Sequence, residues 1–232
     1  SGNPWGVAQH VGGLSFDGNN DYVDVAVGGA LPVFDGSGAA YSIGLWVRGP
    51  PRDDDRVYSE GSSQGNSPLL TLGTGRSSNG TTDRFQVFIR NDGGGVLLNQ
   101  QTQAPVFDNT WHHVTWIDAG GSASVYVDGV LDPVSFSYSL SGTWSSMNRV
   151  SLGAVLRAGT CCHMQCDLDD VRVYDRALLP SEVQDVMNAS PQGTAWTAGT
   201  TGVGFDLGVG YQSLIGLDLQ SSMSVVNASA FV

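Results

Sequence analysis

In Arg84-Phe85-Gln86-Val87-Phe88-Ile89-Arg90, apolar and polar residues alternate with the period of two that buries one face of a β-strand and leaves the other outside. The same pattern runs through Asp21-Tyr22-Val23-Asp24-Val25-Ala26-Val27 and through Tyr41-Ser42-Ile43-Gly44-Leu45-Trp46-Val47-Arg48. It returns from Trp111 to Asp118 and from Ser124 to Val127, where Asp128-Gly129 leads out through Val130-Leu131. A two-residue Asp-Gly loop between such runs is the strongest short-range signal of a hairpin, because its residues tolerate the positive φ angles the turn requires. Further strands are predicted at Gly13 to Phe16, Pro68 to Leu72, Arg149 to Ala154 and Leu168 to Tyr174. Turns recur too often for long helices, and the pattern predicts an all-β protein, a two-sheet antiparallel sandwich. Phe16, Trp46, Phe85, Phe88, Trp111, Trp116 and Val125 are assigned to its core as large apolar residues on these strands.

The rest of the composition agrees. The chain of 232 residues is long enough for one substantial core and a small extra module. Its 32 glycines and only 14% charged residues belong to a turn-rich β-protein. Twenty aspartates stand against two glutamates, and ten arginines against no lysine, for a net charge of −12. Such a surface repels nucleic acid and anionic membranes, so neither partner is expected. No apolar run is long enough to enter a bilayer.

One segment departs from the period of two. Pro180-Ser181-Glu182-Val183-Gln184-Asp185-Val186-Met187 sets Val183, Val186 and Met187 at helical spacing behind a proline, predicting one short C-terminal helix. Its N-cap position, Leu179, offers no side-chain acceptor, so the helix is expected to depend on docking its apolar face. Residues 1–190 are read as the sandwich domain. Residues 191–232 are read as a linker and a β-prone tail that extends the sandwich, pairs with a sheet edge, docks into a neighbouring subunit, or opens a following domain.

Four blocks, in this order, resemble the laminin-G-like, concanavalin A-like jelly-roll family, in the variant found in large secreted bacterial proteins. They are Leu14-Ser15-Phe16-Asp17-Gly18-Asn19-Asn20-Asp21-Tyr22-Val23; Tyr41-Ser42-Ile43-Gly44-Leu45-Trp46-Val47; Trp111-His112-His113-Val114 with Val125-Tyr126-Val127-Asp128-Gly129; and Asp167-Leu168-Asp169-Asp170-Val171-Arg172-Val173-Tyr174-Asp175-Arg176-Ala177-Leu178. The resemblance covers about residues 5–189. It implies a secreted or cell-surface module for recognition or adhesion, with a glycan or an extracellular protein as partner. The fold itself hosts lectins, enzymes and spacers alike.

The run Asp17-Gly18-Asn19-Asn20-Asp21 crowds oxygen ligands of the kind a hard cation takes onto a tight loop. The resemblance implies a structural Ca²⁺ joining Asp17, Asn19 and Asp21 to Asp167, Asp169 and Asp170 on the last strand, tying the ends of the domain together. The other reading of the same residues is a plain β-turn, with the late aspartates solvated or paired with Arg172 and Arg176. Asp53-Asp54-Asp55 is read as a solvated loop.

Cys161, Cys162 and Cys166 fall within six residues and leave three readings open: a local disulfide from Cys166 to Cys161 or Cys162, free or intermolecularly paired thiols, or a metal site with His163. An enzyme is not expected. Glycosidases need two flanking carboxylates, whereas the two glutamates here are Glu60, placed in a loop, and Glu182, on the helix. No nucleophile elbow or phosphate loop is present either. A sugar-binding surface needs an aromatic platform beside polar side chains, and the loop candidates are Tyr58, Arg76, Asp92, Trp144 and Arg157. The expectation is therefore a non-catalytic extracellular recognition or adhesion module that binds carbohydrate and is stabilised by calcium, with a structural spacer or a tail-assembled filament subunit as the alternative and a polysaccharide-degrading enzyme as a remote one.

Overall fold

The computed structural model describes residues 13–25, 32–34, 36–144 and 147–189, together with the backbone of 223–226 and 229–231. In chain order the strands are β1 (Gly13–Asp17), β2 (Tyr22–Val25), β3 (Ala40–Arg48), β4 (Arg56–Gly61), β5 (Leu69–Thr74), β6 (Arg84–Arg90), β7 (Val96–Pro105), β8 (His112–Ala119), β9 (Ser122–Val127), β10 (Val130–Leu131), β11 (Arg149–Leu152), β12 (Val155–Leu156), β13 (Thr160–Cys161), β14 (Gln165–Tyr174), β15 (Met223–Val226) and β16 (Ser229–Phe231), with helix α1 (Pro180–Asn188) after β14. They form two antiparallel sheets, one in the order β10-β9-β8-β3-β14-β1-β16 and the other β15-β2-β11-β4-β5-β6-β7, plus the small β12-β13 hairpin. This is the expected two-sheet jelly-roll sandwich with one short helix.

The period of two becomes a core between the sheets. Leu45, Val47, Val114, Trp116, Val125 and Leu168 of the first sheet meet Leu70, Leu72, Phe85, Val87 and Ile89 of the second, all buried. The indole of Trp116 donates to the Tyr41 hydroxyl at 3.0 Å, so the largest buried side chain leaves no polar atom stranded. Asp128-Gly129 turns β9 into β10 as expected, with φ of 51° and 75° at the two positions.

Trp46, Trp111 and Phe88 correct the core assignment, because parity outranks hydrophobicity. Trp46 lies between Leu45 and Val47, and Phe88 between Val87 and Ile89, so each points out of the sandwich and is only half-buried. Trp46 packs edge-on against the His113 ring at 5.2 Å, and the Arg48 guanidinium lies 5.0 Å over the Trp111 ring.

The adjacent pair Asp169-Asp170 breaks alternation in β14, and a bulge absorbs it. Asp169 pairs with Trp46 and Arg172 with Gly44, so two residues, Asp170 and Val171, oppose Leu45 alone. Core-facing positions shift there from Cys166 and Leu168 to Val171 and Val173, and Asp170 takes φ 47°.

Helix α1 closes over the outer face of the first sheet. Val183 and Val186 pack with Ile117, Tyr126, Tyr174 and Leu178 in a second apolar cluster. Glu182 accepts the Leu179 amide at 2.7 Å and pairs with Arg176 through both carboxylate oxygens, anchoring the first turn. The remaining tail strands extend both sheets: β15 pairs with β2 and β16 with β1. Of the expected linker and tail at 191–232, residues 191–222 lie outside the described residues.

Candidate functional site

On β6 the outward row is Arg84, Gln86, Phe88 and Arg90, the other parity of the stretch whose inward row fills the core. Register places Thr71 of β5 and Asn99 of β7 on either side of Phe88, and Leu69 beside Arg90. The β12-β13 hairpin and the 54–56 segment rise along this face, and between them lies a groove of about 140 Å³ whose walls include Arg56, Arg76, Arg90, Arg157 and Cys162. Four of the ten arginines of a strongly acidic chain thus meet in one place.

Each arginine is held differently. Buried Arg56 uses all four Nη donors: it donates to the carbonyls of Asp55 (3.1 Å) and Thr74 (2.5 Å), to Gln86 Oε1 (3.1 Å) and to the Asp54 carboxylate. Asp54 also accepts from exposed Arg76, so this carboxylate joins two guanidinium groups. The aspartate triplet is therefore an ion-paired corner of the groove, with Asp53 accepting the Ser77 amide at 2.7 Å and Asp55 paired with Arg52 at 2.8 Å. Asp54 itself stands at φ 64°. Gln86 Nε2 donates to Asn99 Oδ1 at 2.7 Å, joining the amides across the groove floor.

Arg90 donates to the Asn66 carbonyl and lies 5.9 Å from the Phe88 ring, while its Nε is shielded from solvent without a hydrogen-bond partner. Burial holds its pKa below the ordinary arginine value, and the charges of Arg157 and Arg76 press it further down. Thr71, 1% exposed, also has an unpartnered hydroxyl oxygen in the groove wall. Buried polar atoms without partners are uncommon in native proteins, and two of them share this groove.

Arg157 Nη2 lies 3.3 Å from Cys161 Sγ on the groove's lip. A hydrogen bond from Cys162 and the charge of Arg157 bring the Cys161 thiol down to about 6, and the same bond raises that of Cys162. All three cysteines are free. Of the three readings, a bridge to Cys166 is not made: Cys166 faces the sandwich core, where burial raises its thiol pKa, while Cys161 and Cys162 are half-exposed at the hairpin.

The other expected ligand residues divide. Arg76 and Arg157 line the groove. Tyr58 and Glu60, expected in a loop, are instead buried on β4: the Tyr58 hydroxyl donates to Glu60 at 2.6 Å, and Glu60 also accepts the amides of Val33 and Phe34. Trp144 packs edge-on against Phe34 at 4.9 Å and serves the core rim. Asp92 donates its amide to the Thr143 carbonyl in a turn away from the groove. The missed residues are Arg56, Thr71, Gln86, Phe88, Arg90 and Asn99. The signal available was parity: had Phe88 been counted with its outward neighbours, β6 would have shown an Arg-Gln-aromatic-Arg row.

The residues expected to hold Ca²⁺ are partly gathered and individually engaged. Asp17 accepts the Asn19 amide (2.8 Å) and side chain (3.1 Å), which lower its pKa. Asp21 accepts the Asp17 amide at 3.0 Å. Asp167 is paired with Arg48 at 2.5 Å, and Asp170 with Arg172 at 2.7 Å, while Asp169 is buried opposite Trp46. Among the described residues no three His, Cys, Asp or Glu side chains converge as a metal site.

A family model described as the concanavalin A-like lectin/glucanases superfamily matches residues 17–184. No curated protein sequence matches the chain. Among solved structures, the chain resembles a heptameric SAP-like pentraxin from Limulus polyphemus, at TM-score 0.61 and 14% identity over 98% of this chain and 97% of that one. Mouse laminin α1 domains LG4-5 match at TM-score 0.51 and 17% identity, over 78% of this chain and 46% of that one. The binding domain of botulinum neurotoxin DC, solved in complex with SialylT, matches at TM-score 0.51 and 12% identity, over 76% and 41%. At these identities the likeness is one of fold.

Proposed function

Because the chain belongs to the concanavalin A-like lectin/glucanase superfamily, we propose that it is a non-catalytic carbohydrate-recognition module of an extracellular protein, and that it binds through the groove on the outer face of β4–β7. The observation that carries the reading is the outward row of β6. Phe88 offers a ring face, and Gln86, Asn99 and Thr71 offer hydrogen-bonding groups beside it, the combination a sugar's C–H face and hydroxyls require. A structural neighbour solved with SialylT shares the fold, which makes a sugar ligand a natural one for it.

The groove also supports binding over hydrolysis. Among the described residues its one lining carboxylate, Asp54, is shared by two arginines, whereas glycoside hydrolysis calls for two carboxyl groups facing each other across the bond. At about 140 Å³, it is smaller than the roughly 300–1,000 Å³ of enclosed small-molecule sites and takes one sugar unit with the chain running out along the sheet. Among the described residues no helix is long and apolar enough to cross a membrane.

Glycan-array binding followed by calorimetry tests the reading. We expect a saccharide to bind wild-type protein and Phe88→Ala to weaken it at least tenfold with the melting temperature retained. Failure of every saccharide to bind, or full binding by the variant, overturns it.

A further inference from the structure

We propose that the groove recognises an anionic substituent of its saccharide, a sulfate or a carboxylate, through Arg90, Arg157 and the Thr71 hydroxyl; this rests on the carbohydrate reading above and names the ligand class. Two features of the site carry it: a cationic cluster within an acidic protein, and buried donors left open.

The charge argument is local. Among the described residues four guanidinium groups line the groove against one carboxylate, although the chain as a whole carries −12. Asp54 is consumed by Arg56 and Arg76, and the Nη donors of Arg56 are all used within the protein. That leaves Arg90 and Arg157 without a carboxylate partner among the described residues, facing a groove that holds only one. Mutual repulsion of Arg90 with Arg157 and Arg76 is a cost in the free protein that an anion between them relieves. The sulfur of Cys161 already lies against Arg157, in the position of a weak anionic partner.

The polar argument is independent of charge. Thr71 Oγ1 is buried and Arg90 Nε is shielded, and neither has a partner. A hydroxyl and a guanidinium N–H both donate well to an anionic oxygen, and charge-assisted bonds of that kind are about twice as strong as neutral ones. The small groove fits one substituent on one sugar unit, while the surrounding acidic surface repels a long polyanion. The same device therefore selects a locally charged saccharide over nucleic acid.

Calorimetry with short oligomers of dextran (neutral), oligogalacturonate (carboxylate) and dextran sulfate (sulfate) tests the substituent. We expect one charged series to bind at least tenfold more tightly than dextran, to weaken as salt rises, and to lose at least tenfold in Arg90→Gln or Arg157→Gln. Arg149→Gln, whose guanidinium pairs with Asp24 outside the groove, is expected to leave it unchanged. Equal binding of the neutral and charged series, or no effect of Arg90→Gln and Arg157→Gln, overturns the anionic proposal while leaving the carbohydrate reading in place.

A second arm tests anion attraction without any sugar. Cys161 alkylation, followed by peptide mapping, is compared for anionic iodoacetate and neutral iodoacetamide, and their rate ratio cancels changes in thiol reactivity. The ratio is expected to fall at least threefold in Arg90→Gln and in high salt. An unchanged ratio overturns the anion site. A fall in the ratio, with no saccharide bound, supports the anion site and overturns the carbohydrate reading alone.

Discussion

The two outer faces of the sandwich began with the same alternating strands and ended differently. Over β3, β8, β9 and β14 the outward residues include Ile117, Tyr126 and Tyr174, and helix α1 lies on them with Val183 and Val186. Over β5, β6 and β7 the outward residues are Thr71, Gln86, Phe88, Arg90 and Asn99, and a groove stays open. An apolar outward row demands a cover because exposed apolar area costs free energy in water. A mixed row of arginines, amides and one ring tolerates water and, in the function proposed above, exchanges it for a ligand. What distinguishes a structural face from a binding face is thus the composition of the parity that does not enter the core.

The largest effect expected from this contrast lies within a single strand. Phe85→Ala removes a fully buried ring and is expected to cost about 3–5 kcal/mol of unfolding free energy. Phe88→Ala, three residues along and facing outward, is expected to cost about 1 kcal/mol or less. Chemical denaturation of both variants measures the difference, and equal losses would erase the distinction between the two rows.

Next comes the covered face. Val183→Asp places a charge in the apolar contact beneath α1 and is expected to cost about 3 kcal/mol or more, as the helix has no place to dock without it. A change within about 0.5 kcal/mol would mean that α1 is not a structural cover.

On the open face the sign is expected to reverse. Thr71→Val replaces an unpartnered buried hydroxyl with a methyl group of similar shape, and stability is expected to rise by about 1 kcal/mol while ligand affinity falls. Loss of stability in this variant would show that the hydroxyl serves the fold.

A smaller effect belongs to the edge that joins β8 to the β9-β10 turn. His112 Nδ1 lies 2.7 Å from Asp128 and its Nε2 3.3 Å from Asp108, and the hydrogen bond to Asp128 raises the imidazole pKa above 6.5. A raised folded pKa stabilises the protein fully below the unfolded value near 6.5, and the contribution disappears as pH rises through the folded value. With Asp128 47% exposed, screening reduces the pair to about 0.5–1 kcal/mol. Unfolding curves across this window should show that loss in wild-type protein and not in His112→Gln.

The smallest expected effect concerns Ca²⁺. With Asp167 and Asp170 already paired with arginines, millimolar calcium is expected to move the melting temperature by less than about one degree from a chelated control. A rise of several degrees, abolished by Asp17→Asn, would restore the bridge from the first hairpin to β14.

Alternation was enough for most of the strands, the Asp-Gly hairpin and most of the core, and helical spacing behind a proline for the helix at Pro180–Asn188, because each is encoded within a few neighbouring residues, whereas β4 and β7 do not show that pattern clearly and were not predicted. Arg76 and Arg157 were legible as candidates, but their meeting with Arg56 and Arg90 was not. These four arginines come from the 54–56 segment, the turn after β5, the end of β6 and the β12-β13 hairpin, positions separated by up to about a hundred residues and brought together by strand order. Tyr58 and Glu60 mislead for the same reason: nothing local reveals that Val33 and Phe34 will donate their amides to that carboxylate inside the molecule. Sequence by itself determined which residues alternate, and therefore that a sandwich forms. Only the tertiary structure decided which outward row would be covered by a helix and which would be left open, because that depends on long-range pairing and on the surface each segment finds when it docks.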